Sequence, residues 1–371
     1  MKQYDYLIVG AGLYGSTCAY LLSSIGKKVL VVDKRSHIGG NCYTEKRENI
    51  NVHKYGAHIF HTSNDTVWHF INQFTKFNNF INSPIAVYEN ETFNLPFNMN
   101  TFSKIWPGVI TVKDAKRKIE GEIQKYGVKN PKNLEEQAIN LVGRSIYLKL
   151  VKGYTEKQWG KPCEALPPEI IKRLPVRFTY DNNYFNDRYQ GIPIDGYTHI
   201  FEKMLKHSEV RLNVDFKANQ QELEKLANTI IYTGPIDEYF DYSEGTLEYR
   251  SLRFVEDTFD FDNYQGNAVM NFTSSTIPYT RIIEHKHFEK SNSDKTIISI
   301  EYPEKWSVGK ERYYTINNKR NLDIYAKYSE KAKQLSNVIF GGRLAEYKYY
   351  DMDDTIEAAM NMIKERGLLH E

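Results

Sequence analysis

Apolar residues fall into three regimes along the chain. From Tyr6 to Val9 and from Val29 to Val32 they run unbroken, as in strands covered on both faces, and Ser16 to Ser24 between them reads as a helix with Ala19, Leu21 and Leu22 apolar. A helical period follows. Thr66 to Phe77, Lys113 to Tyr126 and Leu134 to about Val151 are expected as helices, the last with Leu134, Ala138, Val142, Ile146 and Leu150 at four-residue spacing on one face. The third regime is short and rich in β-branched and aromatic residues. Val210 to Phe216, Thr229 to Tyr232, Leu247 to Phe254, Ala268 to Thr273, Tyr279 to Glu284 and Thr296 to Tyr302 read as sheet, some of it antiparallel. Val338 to Phe340 is a further buried strand, and Thr355 to Glu365 a helix with acidic residues at its start.

The first strand and helix are joined by Gly10-Ala11-Gly12-Leu13-Tyr14-Gly15, and Asp33 ends the second strand, eighteen residues beyond Gly15. This is the arrangement that binds a dinucleotide. Gly10 permits the tight turn, Gly12 lets the backbone approach a pyrophosphate, Gly15 lets helix meet strand, and Asp33 is placed for an adenosine ribose. The adjacent glycines of Gly39-Gly40-Asn41 favour FAD over a nicotinamide, because they let the chain pass beneath a long extended cofactor. The expected fold is α/β: a Rossmann-like FAD-binding domain with an inserted helical domain and an antiparallel β-sheet substrate domain. Residues 1–64, 195–240 and 335–371 are assigned to the FAD-binding domain, 65–160 to a mainly helical one, and 161–194 with 241–334 to the substrate sheet.

Charge narrows the partners. Lys plus Arg number 49 against 47 Asp plus Glu, a net of +2, with no basic run, which argues against nucleic acid or an anionic membrane. No apolar stretch nears the ~18 residues of a membrane span, and the N-terminus lacks signal-peptide features, so a cytoplasmic enzyme is expected. Cys18, Cys42 and Cys163 lie far apart without a C-x-x-C, which indicates neither a disulfide framework nor zinc. His58 and His61 lack a third ligand at metal spacing, and Glu284-His285-Lys286-His287 reads as a solvated strand end. No metal is expected. Tyrosine, at 28 residues against 19 Phe, suits a polar ligand bearing rings.

Three tracts set arginine among aromatic or apolar neighbours: Lys172 to Phe178 with Arg173, Pro278 to Ile282 with Arg281, and Gly342 to Tyr349 with Arg343. The forked guanidinium suits a diphosphate. These tracts, together with Gly153-Tyr154-Thr155-Glu156-Lys157-Gln158-Trp159-Gly160, Tyr55 to Thr62, Asn183-Tyr184-Phe185 and Tyr347 to Met352, resemble the signature segments of bacterial UDP-galactopyranose mutases over nearly the whole chain. The resemblance implies a homodimeric isomerase that contracts UDP-galactopyranose to UDP-galactofuranose for cell-surface glycans. It implies covalent catalysis through N5 of reduced FAD, with no net redox. It also implies a mobile loop around 161–178, and Arg173 and Arg281 as catalytic diphosphate clamps, with Tyr184, Tyr314 and Tyr349 donating to phosphate. Tyr154, Thr155, Trp159, Arg250 and Asn271 would line the substrate side, and His58, His61, Arg343, Asp351 and Met352 the flavin. An FAD-dependent oxidoreductase of the same fold and a non-catalytic sugar-nucleotide binder are the competing readings.

Overall fold

The computed structural model describes residues 2–171 and 175–367. A five-stranded, wholly parallel sheet has the order Val338–Phe340, Ala227–Tyr232, Tyr4–Val9, Val29–Val32, Glu209–Arg211. Helices Leu13–Ser24 and Met352–Glu365 cover one face, packing Ala19, Leu22, Ile356 and Ala359 against Ile8 and Val31. Leu7, Leu30 and Ile230 face the other side, under Phe216 and Leu223. Cover on both faces explains why these strands are apolar without alternation. The strand order reverses between Tyr4–Val9 and Ala227–Tyr232, and in such sheets the crevice beyond the strand ends at that point receives the ligand.

A second sheet of seven strands runs in the order Tyr314–Thr315, Tyr249–Phe259, Thr296–Lys305, Arg281–Glu284, Val269–Phe272, Ile85–Tyr88, Glu91–Asn94. It is not wholly antiparallel. Val269–Phe272 pairs in parallel with Ile85–Tyr88, because the hairpin 85–94 leaves the 65–160 stretch to extend this sheet. Helix Asp65–Ile71, shorter than the sequence suggests, likewise departs from that stretch: Val67, Phe70 and Ile71 join the core beside the parallel sheet.

The apolar stripe from Leu134 to Leu150 is buried at all five positions, but not on one helix. Helix Leu134–Val142 stops at Gly143, whose φ of +80° departs from helical geometry, and the chain resumes through Arg144–Ile146 and a π-turn over Tyr147–Lys152 into helix Gly153–Trp159. The expected strand 210–216 is also cut short at Arg211. Asn213 takes a positive φ of 57°, and Asn213 and Val214 donate instead to the carbonyls of Arg35 and Asp33.

Candidate active site

A cleft of about 570 Å³ opens at the strand-order reversal and runs from the glycine turn, past His58, to Arg281 and Tyr314. At its first end Gly10 has φ of +109°, and a Cβ on Gly15 would lie 2.0 Å from the Gly10 carbonyl oxygen, so helix and strand approach at backbone distance. Gly40, at φ +55°, faces Gly12 so closely that its own Cβ would stand 2.9 Å from the Gly12 Cα. Asp33 Oδ2 accepts from Ala11 N at 2.8 Å and its Oδ1 from Arg35 N at 2.9 Å. The carboxylate thus braces the glycine turn while keeping lone pairs free for a ligand. Arg35 Nη2 donates to Asn41 Oδ1 (2.9 Å) and Glu311 (2.6 Å), and the guanidinium lies 4.4 Å from the Tyr55 ring centre. Sequence reading missed Arg35 and Glu311, and held Tyr55 only as the start of a signature segment. Only Arg35, two residues after Asp33, carried a local signal.

Midway, His58 Nδ1 donates to the Gly56 carbonyl at 2.8 Å, and its backbone N donates to His53 Nδ1 at 3.2 Å. Burial, joined by the nearby Arg343 charge, holds the His58 imidazole down to about 4 against the pull of the Gly56 carbonyl. His58 is therefore neutral, with Nε2 an acceptor. His61 stacks on Phe185 at 3.8 Å and pairs with Asp187 at 2.9 Å. Arg343 donates to the Tyr313 carbonyl (2.8 Å) and sits over Tyr349 at 4.7 Å. Asp351 caps the C-terminal helix and accepts from the Tyr349 hydroxyl, while Met352 meets Cys42 sulfur to sulfur at 3.7 Å.

At the far end Arg281 Nε donates to Asn271 Oδ1 (3.2 Å), Nη2 to the Tyr154 hydroxyl (3.0 Å), and Nη1 faces Glu301 Oε2 at 3.5 Å. Burial works against this charge, but Glu301, with Tyr154 and Tyr314, more than restores it. Burial also pushes the hydroxyls of Tyr154, Tyr184 and Tyr314 up, so all three are protonated donors at neutral pH. Tyr314 and Tyr349 stack with ring centres 6.2 Å apart, Tyr349 half exposed at the rim. Tyr154, Tyr184 and Asn271 also line an adjoining cavity of about 200 Å³, closed by Thr155, Gln158 and Trp159 with Phe97 and Leu150. Glu301 is a further residue the sequence reading overlooked. A carboxylate in the apolar run of 296–302 was the available sign.

Two assignments are corrected. Arg250 lines neither cavity: its Nε donates to the Gln158 carbonyl at 2.8 Å, closing the C-terminal end of helix Gly153–Trp159. Nor is 284–287 a solvated strand end, for Glu284 and His285 are buried. Burial would raise the Glu284 carboxyl, but bonds from His287, Thr296 and the Tyr264 and Gln265 N–H groups hold it down to about 2, from 4.5. A depressed acid stabilises the fold above its unfolded value, and that stability is lost as pH falls from 4.5 toward 2. Between pH 7 and pH 3 the Tm of the native protein should thus fall further than that of Glu284→Gln. An equal fall would remove this carboxylate from the acid response. Arg173 lies outside the described residues. Among the described residues no three or more His, Cys, Asp or Glu side chains cluster as metal ligands.

The family model of UDP-galactopyranose mutase matches residues 149–349, which carry Arg281, Tyr154 and Trp159, and that of NAD(P)-binding Rossmann-like domains matches 8–74. The chain is 38% identical over 362 residues to the dTDP-fucopyranose mutase of Escherichia coli, covering 95% of this chain and 96% of that protein. It belongs to the UDP-galactopyranose mutase family. The probable UDP-galactopyranose mutase of Klebsiella pneumoniae is also 38% identical, over 368 residues, with 98% and 95% covered. A solved structure of a reduced UDP-galactopyranose mutase superposes with a TM-score of 0.74 at 16% identity, over 99% and 96% of the two chains. Membership in this mutase family makes the chain an isomerase and a flavoprotein. Its residues fit a flavin dinucleotide: the Gly12 and Gly40 backbones lie open to the cleft, and a neutral histidine stands midway along it.

Proposed function

We propose that this protein is an FAD-dependent UDP-galactopyranose mutase, interconverting UDP-galactopyranose and UDP-galactofuranose without net redox change. One observation carries the reading. Arg281 is held by Asn271, Tyr154 and Glu301 where the dinucleotide cleft meets a smaller, largely apolar cavity of nucleobase size. A diphosphate at Arg281 would put its nucleobase in that cavity, between Thr155 and Trp159, and its sugar toward His58. When bound, reduced flavin supplies a nucleophile at N5 that allows ring contraction without an external oxidant. The chain's part is orientation and charge. Arg281, and Arg173 with it, would neutralise the charge that grows on UDP as its bond to the sugar breaks, and Tyr184, Tyr314 and Tyr349 would donate to its oxygens.

Gly10, Gly12, Gly15, Gly40 and Asn41 would cradle the pyrophosphate and Asp33 the ribose, which favours FAD over a mononucleotide. His58, His61, Arg343, Asp351 and Met352 would border the flavin ring. The same reading places a homodimer in the cytoplasm, supplying galactofuranose for surface glycans. A second reading, contraction of dTDP-fucopyranose, is supported by the 38% identity to the dTDP-fucopyranose mutase over 95% of the chain, equal to that of the UDP-galactopyranose relative.

The test is to incubate the purified flavoprotein with UDP-galactofuranose or dTDP-fucofuranose, with and without dithionite, and to separate the products by chromatography. Conversion of the UDP sugar only after reduction is expected. Faster turnover of the thymidine sugar would select the second reading, and stoichiometric sugar oxidation would make the chain an oxidoreductase.

A further inference from the structure

Lys157 sits on helix Gly153–Trp159 between the residues that close the smaller cavity, yet lines neither cavity itself. Its Nζ donates to three backbone carbonyls, those of Phe272 (2.7 Å), Tyr279 (2.8 Å) and Ser274 (2.9 Å). All three ammonium donors are thereby used. No carboxylate pairs with it among the described residues, and burial alone pulls the ammonium down to about 8. A part-buried cation without an anion is costly unless every donor is satisfied, so the seat is specific to a compact ammonium whose donors converge on one turn.

That turn joins strand Val269–Phe272, which carries Asn271, to strand Arg281–Glu284, which begins with Arg281. The same helix touches it again at Gly153, where a Cβ would fall 2.4 Å from the Thr273 carbonyl oxygen. Tyr154, next along the helix, accepts from Arg281. The helix is thus fastened to the turn at two places, and its side chains meet the two strands across the site.

We propose that Lys157 is a positioning residue of the nucleotide-sugar site: seated on the 272–279 turn, it holds Tyr154, Thr155 and Trp159 in register with Asn271 and Arg281. The inference rests on the mutase reading. The charged groups around the ammonium are few. Arg250 donates to the carbonyls of Lys157 and Gln158 rather than to a shared partner, and the Tyr279 hydroxyl is held neutral by burial. Loss of the Lys157 proton would therefore remove a donor and leave a carbonyl oxygen facing a nitrogen lone pair.

The experiment measures UDP binding to the FAD-loaded protein by calorimetry, together with flavin content and kinetics. Lys157→Met is expected to weaken UDP by about tenfold or more and to raise KM more than it lowers kcat, with flavin content unchanged. UDP affinity within about threefold of the native protein, or loss of flavin in step with loss of UDP, would overturn the proposal. Should that variant not fold, Lys157→Arg decides: its planar fork keeps the charge but cannot converge on the three carbonyls, so UDP should again weaken by about tenfold at unchanged flavin content, and UDP affinity within about threefold of the native protein overturns the proposal. Absence of UDP binding by the native protein would instead sink the mutase reading itself.

Discussion

Replacing Arg281 by alanine should lower kcat/KM by roughly 10³ while the protein keeps its flavin. The magnitude follows from what the guanidinium meets. A charge-assisted bond to a diphosphate oxygen contributes about 1.5–3 kcal/mol, and more as negative charge collects on the leaving UDP than in the bound substrate, so the loss falls on the transition state. Removing Arg281 also strands Glu301, which is 2% exposed and among the described residues keeps only Thr280 as a side-chain donor. Part of the damage to Arg281→Ala would therefore be a loss of stability. The double variant Arg281→Ala/Glu301→Gln separates the two effects: it should recover Tm without recovering activity. Arg281→Lys keeps the charge but cannot reach Asn271 and Tyr154 together, so an intermediate loss of about 10–100-fold is expected. Near-native kcat in either alanine variant would take Arg281 out of the reaction.

The second large effect divides two glycines of one motif. Gly15→Ala should lose both flavin and fold stability, because its Cβ would stand 2.0 Å from the Gly10 carbonyl oxygen, a backbone atom that cannot rotate away. Gly12→Ala should behave differently. Its Cβ would meet nothing closer than the Gly40 Cα at 3.8 Å, an ordinary contact, so the apoprotein should keep its Tm within a few degrees. What Gly12→Ala removes is room for a ligand. Flavin released on heating and quantified by absorbance should be strongly depleted in both variants, whereas apoprotein Tm should drop only in Gly15→Ala. Full flavin occupancy in Gly12→Ala would show that the pyrophosphate does not cross at this glycine.

Sequence alone determined the parts of this protein whose physics is local. Strand, glycine turn, helix and Asp33 are contiguous, and each residue's role follows from backbone geometry within a few positions. The stripe from Leu134 to Leu150 was legible as buried because apolar spacing survives even where Gly143 breaks the helix beneath it. Arg281, Tyr154 and Trp159 were legible as a set only through resemblance, since no local rule joins residues more than a hundred positions apart.

Tertiary structure alone decided the rest, and each case is a pairing between distant groups. His285 and Glu284 look like a solvated end until Ser299 and Thr296 close over them. Arg250 looks like a substrate ligand until it meets a helix terminus 92 residues away. The hairpin 85–94 had no partner in its own neighbourhood, and its place beside Val269–Phe272 is set by a pairing across 185 residues. Lys157 is the sharpest instance. Its three partners are main-chain carbonyls, which every residue type possesses, so nothing in the amino-acid letters at 272, 274 or 279 marks them as the seat of a cation.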